Sequence, residues 1–326
     1  MLPRRVLAAS VVFLISAPAF ADTPPKPEPR LIAPGVWMIP GSFLPHRQPD
    51  GNTVVFAAPE GLIVMDTGRH KWQRQAILDF AKAHGQPIVA IVNSHWHLDH
   101  VSGNPDIKAA YPGLKVYASD AIYGALKGFL PKSAADSKPY LHDKTLPAET
   151  LEDLRDDMAT IDNGKALLPD VVVDRSDTRK VGGKSLAVNL ARNAATDGDV
   201  WLYDTATKVA AAGDLITFPA PFLDTACPAG WSKALATIDR TAFTTVVPGH
   251  GSPMNHAQFG TYRKAFDDFI ACSASARAAK ECGLDWANAV QTLPGASSAR
   301  GMQGMAAYYV SDVLRAHGGK RAECKV

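Results

Sequence analysis

Apolar and polar positions along this chain fall into short runs whose period changes several times. Val36 to Ile39, Thr53 to Ala57 and Leu62 to Met65 are apolar or β-branched runs punctuated by Pro, Gly and Asp, the pattern of strands joined by turns. Lys71 to His84 shifts to a helical period that places Trp72, Ala76, Phe80 and Ala83 on one side, with Gly85 as its stop. Ile88 to Val92 predicts a further strand, Pro105 to Ala110 a short helix, Lys115 to Ala118 a strand and Ala121 to Phe129 a helix. From Leu130 to Asp170 the pattern fades under four prolines and many charges, and only Leu151 to Met158 keeps a helical period. We expect an insertion at about residues 130–170. Strands resume at Val171 to Asp174, Ser185 to Leu190, Val200 to Tyr203 and Lys208 to Ala212. A helix over Ser232 to Arg240, a strand over Thr244 to Val247, and helices in Gln258 to Ala279, near Asp285 and in Met302 to His317 complete the chain. Such alternation suits helices packed outside a sheet, and no short internal repeat is evident.

The ends and the charge balance change this picture. Arg4 and Arg5, the apolar stretch Val6 to Phe20 and Ala19-Phe20-Ala21 before Asp22 read as a signal peptide over residues 1–21, which predicts a periplasmic or secreted protein. A membrane span needs about 20 predominantly apolar residues, whereas Pro18 leads into a polar segment, so no transmembrane segment is expected after cleavage. Residues 22–30 read as a Pro-rich extended arm and residues 31–326 as a single domain. Without Arg4 and Arg5 the basic and acidic residues are equal, at 32 each, so no nucleic acid partner is expected. Four cysteines, Cys227, Cys272, Cys282 and Cys324, suit two disulfides in an oxidising compartment. Cys272 with Cys282 is the local pair and Cys227 with Cys324 follows by elimination, among three connectivities.

Chemistry concentrates in Ser94-His95-Trp96-His97-Leu98-Asp99-His100, directly after the Ile88 to Val92 run. Imidazole nitrogen and carboxylate oxygen are zinc donors, and a tight turn there would aim His95 and His97 at one metal position and Asp99 and His100 at a second. The competing reading is a solvated His-rich loop.

Three further motifs join this cluster: Ile63-Val64-Met65-Asp66-Thr67-Gly68, Gly213-Asp214 and Pro248-Gly249-His250-Gly251. Together, in this order over residues 63–251, they resemble the metallo-β-lactamase-fold hydrolases. The resemblance implies an α/β fold, a four-layered αββα sandwich. It also implies Asp214 as a ligand bridging two metals, His250 as the last histidine ligand, and Asp99 as the group that orients water or moves its proton. Asp66 then orients a histidine ligand from behind, or is only a turn residue before Thr67-Gly68. One element of the pattern is missing, because Ala195 stands in Asn193-Ala194-Ala195-Thr196-Asp197-Gly198-Asp199 where the family places a histidine. Asp99, His100, His250 and Asp214 therefore form the complete set, expected to hold one Zn2+ tightly. His95 and His97 form the broken set, for a second, weaker ion completed by water, Asn193 or Asp197.

The expected function is a zinc-dependent hydrolase using a metal-bound hydroxide on a small-molecule ester, lactone, amide or β-lactam. Two alternatives stand beside it: a catalytically impaired metal-binding protein, motivated by Ala195, and a periplasmic accessory of a quinoprotein system. The insertion is expected either to cover the site, with Tyr140 and His142 as lining candidates, or to be a plain surface excursion. Cys227 follows the Asp214 motif closely but lacks a partner at zinc-motif spacing, which disfavours a thiol ligand.

Overall fold

The computed structural model describes residues 26–296, 298–316 and Cys324; the expected signal peptide and residues 22–25 lie outside this range. The first sheet contains β1 (Arg30–Ala33), β2 (Val36–Ile39), β3 (Thr53–Ala58), β4 (Gly61–Met65), β5 (Ile88–Val92), β6 (Lys115–Ala118) and β7 (Val171–Val172), in that spatial order. Antiparallel pairing from β1 to β4 gives way to parallel pairing from β4 to β7. β8 (Asp177–Val181), β9 (Lys184–Arg192), β10 (Gly198–Asp204), β11 (Val209–Gly213) and β12 (Thr245–Pro248) form the second sheet, with only β11 and β12 parallel.

Burial on both faces explains why the central strands read as unbroken apolar runs. Val54, Phe56, Ile63, Met65, Ala90 and Val92 point towards Val200, Leu202, Val209 and Ala211 of the other sheet. The alternate residues Val55, Leu62, Val64, Ile88 and Ile91 pack on Ile77, Phe80 and Ile107, which lie on α1 (Lys71–Ala83) and α3 (Asn104–Ala110); the short α2 (Leu98–Val101) lies between these helices. On the outer face of the second sheet, Trp201, Ala210 and Ala212 meet α7 (Pro228–Asp239), α8 (His256–Ser273), α9 (Ala279–Val290) and α10 (Ala299–Tyr308). Helices therefore flank two facing sheets, the expected αββα layering. Both disulfides form as expected, Cys227–Cys324 and Cys272–Cys282, and no free cysteine remains to serve as a ligand. No helix among the described residues is long and apolar enough to cross a membrane.

The structure corrects several sequence expectations. α4 (Ala121–Ala125) falls within the expected Ala121–Phe129 helix, but the stretch read as irregular is mostly helical: α5 (Phe129–Ser137), a 3-10 turn (Lys138–His142), α6 (Ala148–Asp162), which extends the expected Leu151–Met158 helix, and a second 3-10 turn (Gly164–Leu167). Pro139 lies in the first turn of one 3-10 segment and Pro147 immediately precedes α6, so both initiate helical structure. The buried face of α1 is Gln73, Ile77, Phe80 and Ala81. Trp72 turns aside to bond Asp50, while the Gln73 amide donates to the Ile39 carbonyl. Two strands had gone unread, β1, which begins within the expected arm, and β8. The latter alternates charges on an edge, although Gly182 and Gly183, both left-handed, mark the hairpin turn that follows it.

Candidate metal centre

The cluster sits where the C-terminal ends of β5, β11 and β12 converge. Behind it, Asp66 follows β4 with a left-handed backbone, φ 63°. Its carboxylate accepts from the Ser94 N–H at 2.7 Å, the Ser94 hydroxyl at 2.6 Å and His100 Nδ1 at 2.8 Å. Because the Ser94 proton is committed to Asp66, His95 Nδ1, 2.9 Å from Ser94 Oγ, must be the donor in that contact. Asp66 thus leaves Nε2 of His95 and of His100 facing inward. Two glycines permit close approach here, Gly213 between the two sheets and Gly249 between β12 and β11. A Cβ on Gly213, φ 53°, would lie 2.4 Å from Ser94 Cβ, and one on Gly249 would lie 1.9 Å from Asp214 Oδ1.

His100 Nε2 lies 3.2 Å from Asp214 Oδ1 and 3.4 Å from Asp99 Oδ2. His250 Nε2 lies 2.9 Å from Asp99 Oδ2 and 3.6 Å from Asp214 Oδ1, and His95 Nε2 lies 3.9 Å from Asp214 Oδ2. These residues make two overlapping groups, His95 with His100 and Asp214, and Asp99 with His100 and His250; within each, ligand atoms lie within 4.8 Å of one another. His95 Nε2, His100 Nε2 and Asp214 Oδ1 are buried without a hydrogen-bond partner. Buried, unpaired nitrogen and carboxylate oxygen atoms that converge in this way fit a divalent cation.

His97 stands apart from both groups. Its Nε2 lies 3.0 Å from the Thr225 hydroxyl, which donates to the Ala195 carbonyl at 3.0 Å. With that proton spent, His97 Nε2 is the donor to Thr225 and offers no lone pair. Ala195 itself is buried in the outer core of the second sheet. Asp197, in the same turn, belongs to neither donor group, and Asn193 takes a left-handed backbone conformation, φ 49°. Tyr140 and His142 lie on the 3-10 turn Lys138–His142, half-buried and exposed respectively.

Electrostatics divide the imidazoles differently, lowering His95 and His97 and raising His100 and His250. Burial, reinforced by the neighbouring imidazoles, holds His95 well below the usual histidine range. Burial also pushes His97 down to about 4. For Asp99 and Asp214 burial opposes ionisation, but His100 and His250 outweigh it and keep both carboxyls low. Burial likewise opposes charge on His100 and His250, and the facing carboxylates win, raising both.

Sequence reasoning missed a second polar network beside the cluster. His70 Nδ1 is 2.8 Å from Asp50 Oδ2 and its Nε2 is 3.2 Å from Asp153 Oδ1, so the ring joins the β2–β3 connection to α6. Arg47 pairs with Asp153 and Glu152, and the Gln48 N–H donates to Asp153. Burial works against a charged His70, but hydrogen bonds to Asp153 and Asp50 outweigh it and raise its pKa, while Asp50 and Asp153 are lowered despite burial. The His70 contribution is therefore complete below about pH 6.5 and disappears as pH rises through its raised folded value; the carboxylate contributions are complete above about pH 4 and disappear as pH falls through their lowered values. Chemical denaturation across the neutral to alkaline range should show wild-type stability declining more steeply than that of His70→Gln. Parallel slopes would remove His70 from the link.

Aromatic rings surround the cluster, some buried and some exposed. Trp96 and Phe222 lie edge-on to His97 at 4.6 and 5.0 Å, and Phe129 stands 5.3 Å from Trp96. Phe43, 57% exposed, tilts over His250 at 5.2 Å.

A sequence model described as the metallo-beta-lactamase superfamily matches residues 47–250. Among curated proteins, a hydroxyacylglutathione hydrolase from Gloeobacter violaceus is 50% identical over 44 residues, 14% of this chain and 18% of that protein. A linear primary-alkylsulfatase from Pseudomonas sp. is 49% identical over 47 residues, 14% of this chain and 9% of that protein. An atrochrysone carboxyl ACP thioesterase from Aspergillus fumigatus is 30% identical over 103 residues, 31% of this chain and 32% of that protein. The chain thus matches no more than 32% of the length of these three relatives. A metallo-beta-lactamase structure from Pontibacter korlensis superposes with a TM-score of 0.54 at 19% identity, covering 74% of this chain and 100% of that one. The stereoselective inverting sec-alkylsulfatase from Pseudomonas sp. gives a TM-score of 0.56 at 17% identity, covering 87% of this chain and 50% of that one. At these identities the structural likeness is one of fold.

Proposed function

We propose, from the premise that this chain belongs to the metallo-β-lactamase superfamily, that it is a zinc-dependent hydrolase of small esters or thioesters with an apolar acyl or alkyl group. The carrying observation is the set of buried donor atoms left without hydrogen-bond partners, His95 Nε2, His100 Nε2 and Asp214 Oδ1. His95, Asp99, His100, Asp214 and His250 would hold the ion. A bound divalent ion would supply a Lewis acid and lower the pKa of water to about 7. Asp66 fixes the tautomers of His95 and His100. Asp99, tied to His250 through Oδ2, is placed to orient the attacking water or take its proton. Phe43 and Phe129, both exposed, and the half-buried Phe222 would offer apolar faces on which an acyl or alkyl chain could lie and exclude water. The thioesterase and alkylsulfatase relatives support an ester-type bond, and β-lactams stay among the candidate substrates. An exported location is supported by the two disulfides. Zinc-loaded protein assayed on apolar thioesters, carboxylic esters, alkyl sulfates and β-lactams should turn over an ester-type substrate. Turnover of none with zinc bound would overturn the hydrolase reading.

The second reading, an impaired metal-binding protein, is favoured by the hydrogen bond that commits His97 to Thr225 beside Ala195. On either reading the chain should hold one ion per molecule at limiting zinc. Ala195→His should raise this towards two and increase any hydrolysis, at a cost of about 1–3 kcal/mol in metal-free stability for overfilling a buried position. An unchanged stoichiometry in a folded variant would show that the missing histidine does not limit the second ion.

A further inference from the structure

α6 reaches the donor cluster through the Arg69 guanidinium. Arg69 lies between two carboxylates, its side chain 11% exposed. Nη1 is paired closely with Asp157 of α6, and Nε donates to the Pro49 carbonyl at 3.2 Å. Nη2 stops 3.9 Å from Asp99 Oδ1, beyond hydrogen-bond reach. The other Asp99 oxygen faces His250 and His100. α6 is itself secured by the Arg47 and His70 contacts to Asp153 and by the Thr150 hydroxyl, which donates to the His46 carbonyl at 2.8 Å.

We propose that Asp157 of α6 acts as a restraint that holds Arg69 off Asp99, so that this insertion sets the metal affinity of the centre. The inference rests on the proposed ligand role of Asp99. A guanidinium fork binds a carboxylate strongly, and a buried one released by its partner closes on the nearest alternative. Here that alternative is Asp99, and an Arg69–Asp99 pair competes with the ion for the carboxylate. Asp157 is a positioning residue in this account: it touches neither ion nor substrate and acts through Arg69.

The test is zinc affinity of the full chain, measured by competition with a chromophoric chelator. Asp157→Asn, a near-isosteric change at a partly exposed side chain, should weaken zinc binding by about 10-fold, the lower end for losing a supporting partner. Arg69→Gln combined with Asp157→Asn should return affinity to within about 3-fold of wild type, because the competitor is gone. Glu152→Gln removes the same charge from the same helix but serves Arg47, and it should leave affinity within about 3-fold of wild type. Wild-type affinity in Asp157→Asn, equal weakening in Glu152→Gln, or a double variant as weak as Asp157→Asn would each overturn the restraint. Should Asp157→Asn fail to fold, Arg69→Gln alone decides, since the proposal requires it to bind zinc at least as tightly as wild type. His250→Ala separates the two levels. Zinc retention there removes the ligand assignment itself, whereas zinc loss there with an unaffected Asp157→Asn removes only the restraint.

Discussion

His250→Ala is expected to weaken zinc binding by more than about 100-fold and, with it, to lose hydrolysis. His250 shares a donor group with Asp99 and His100, and its Nε2 lies 2.9 Å from Asp99 Oδ2. Without His250 the Asp99 group keeps two of its three donors, below the three protein donors of a catalytic zinc site, and the ion would rest on His95, His100 and Asp214 alone. Losing a supporting partner costs about 10 to 100-fold in affinity, and losing a ligand should exceed the upper figure. His97→Ala is the control. The sequence pairs His97 with His95 in one broken set, but the structure separates them, giving His95 to His100 and Asp214 and His97 to Thr225. His97→Ala should therefore change zinc affinity by less than about 10-fold, the scale of one neutral hydrogen bond. Metal content after dialysis and chelator titration of both variants decides the matter. Equal losses would mean that His97 leaves Thr225 and joins the ion.

The second large effect is on stability. The Cys227–Cys324 bridge closes a loop with a sequence separation of 97 residues. Chain entropy assigns about 4.7 kcal/mol to a loop of about 100 residues, so Cys227→Ser with Cys324→Ser should cost roughly 4 to 5 kcal/mol in guanidinium unfolding. That approaches half of what holds an ordinary domain together. Cys227 precedes α7, and its N–H donates to the Ala194 carbonyl at 2.9 Å, so this anchor lies directly behind the Thr225 and Ala195 contacts. A cost below about 1 kcal/mol would show that packing alone secures the segment.

How legible each part was in the sequence follows from where its partners lie. β3, β4 and β5 were readable because both of their faces are buried, leaving no polar interruption. Gly213-Asp214 and Pro248-Gly249-His250 were readable because close backbone approach requires glycine there, leaving a local signature. Of the helices in the insertion only the middle of α6, Leu151 to Met158, was legible. α6 buries only Thr150 and Asp153, and polar residues facing polar partners leave no apolar stripe. Thr225, Arg69 and Asp157 are single polar residues whose partners lie far away in sequence: 128 residues separate His97 from Thr225 and 88 separate Arg69 from Asp157. No local period encodes such a pairing. Ala195 was legible only as a departure from a pattern, and Thr225 shows what that departure does to His97.

The donors also divide unequally between the two sheets. His95, Asp99 and His100 follow β5 of the first, whereas Asp214 and His250 follow β11 and β12 of the second. Each donor group except that of His95, His100 and Asp214 needs residues up to His250, and both need the two sheets docked. During synthesis the histidine cluster emerges well before the residues that complete either group, so an early ion finds only an open, partial chelate. A bound ion would then work as a clasp fitted after docking, and its occupancy would report that the two halves have met. At a free concentration 100 times its dissociation constant it would add about 2.7 kcal/mol to that docked state, a contribution that chelators withdraw without breaking a covalent bond.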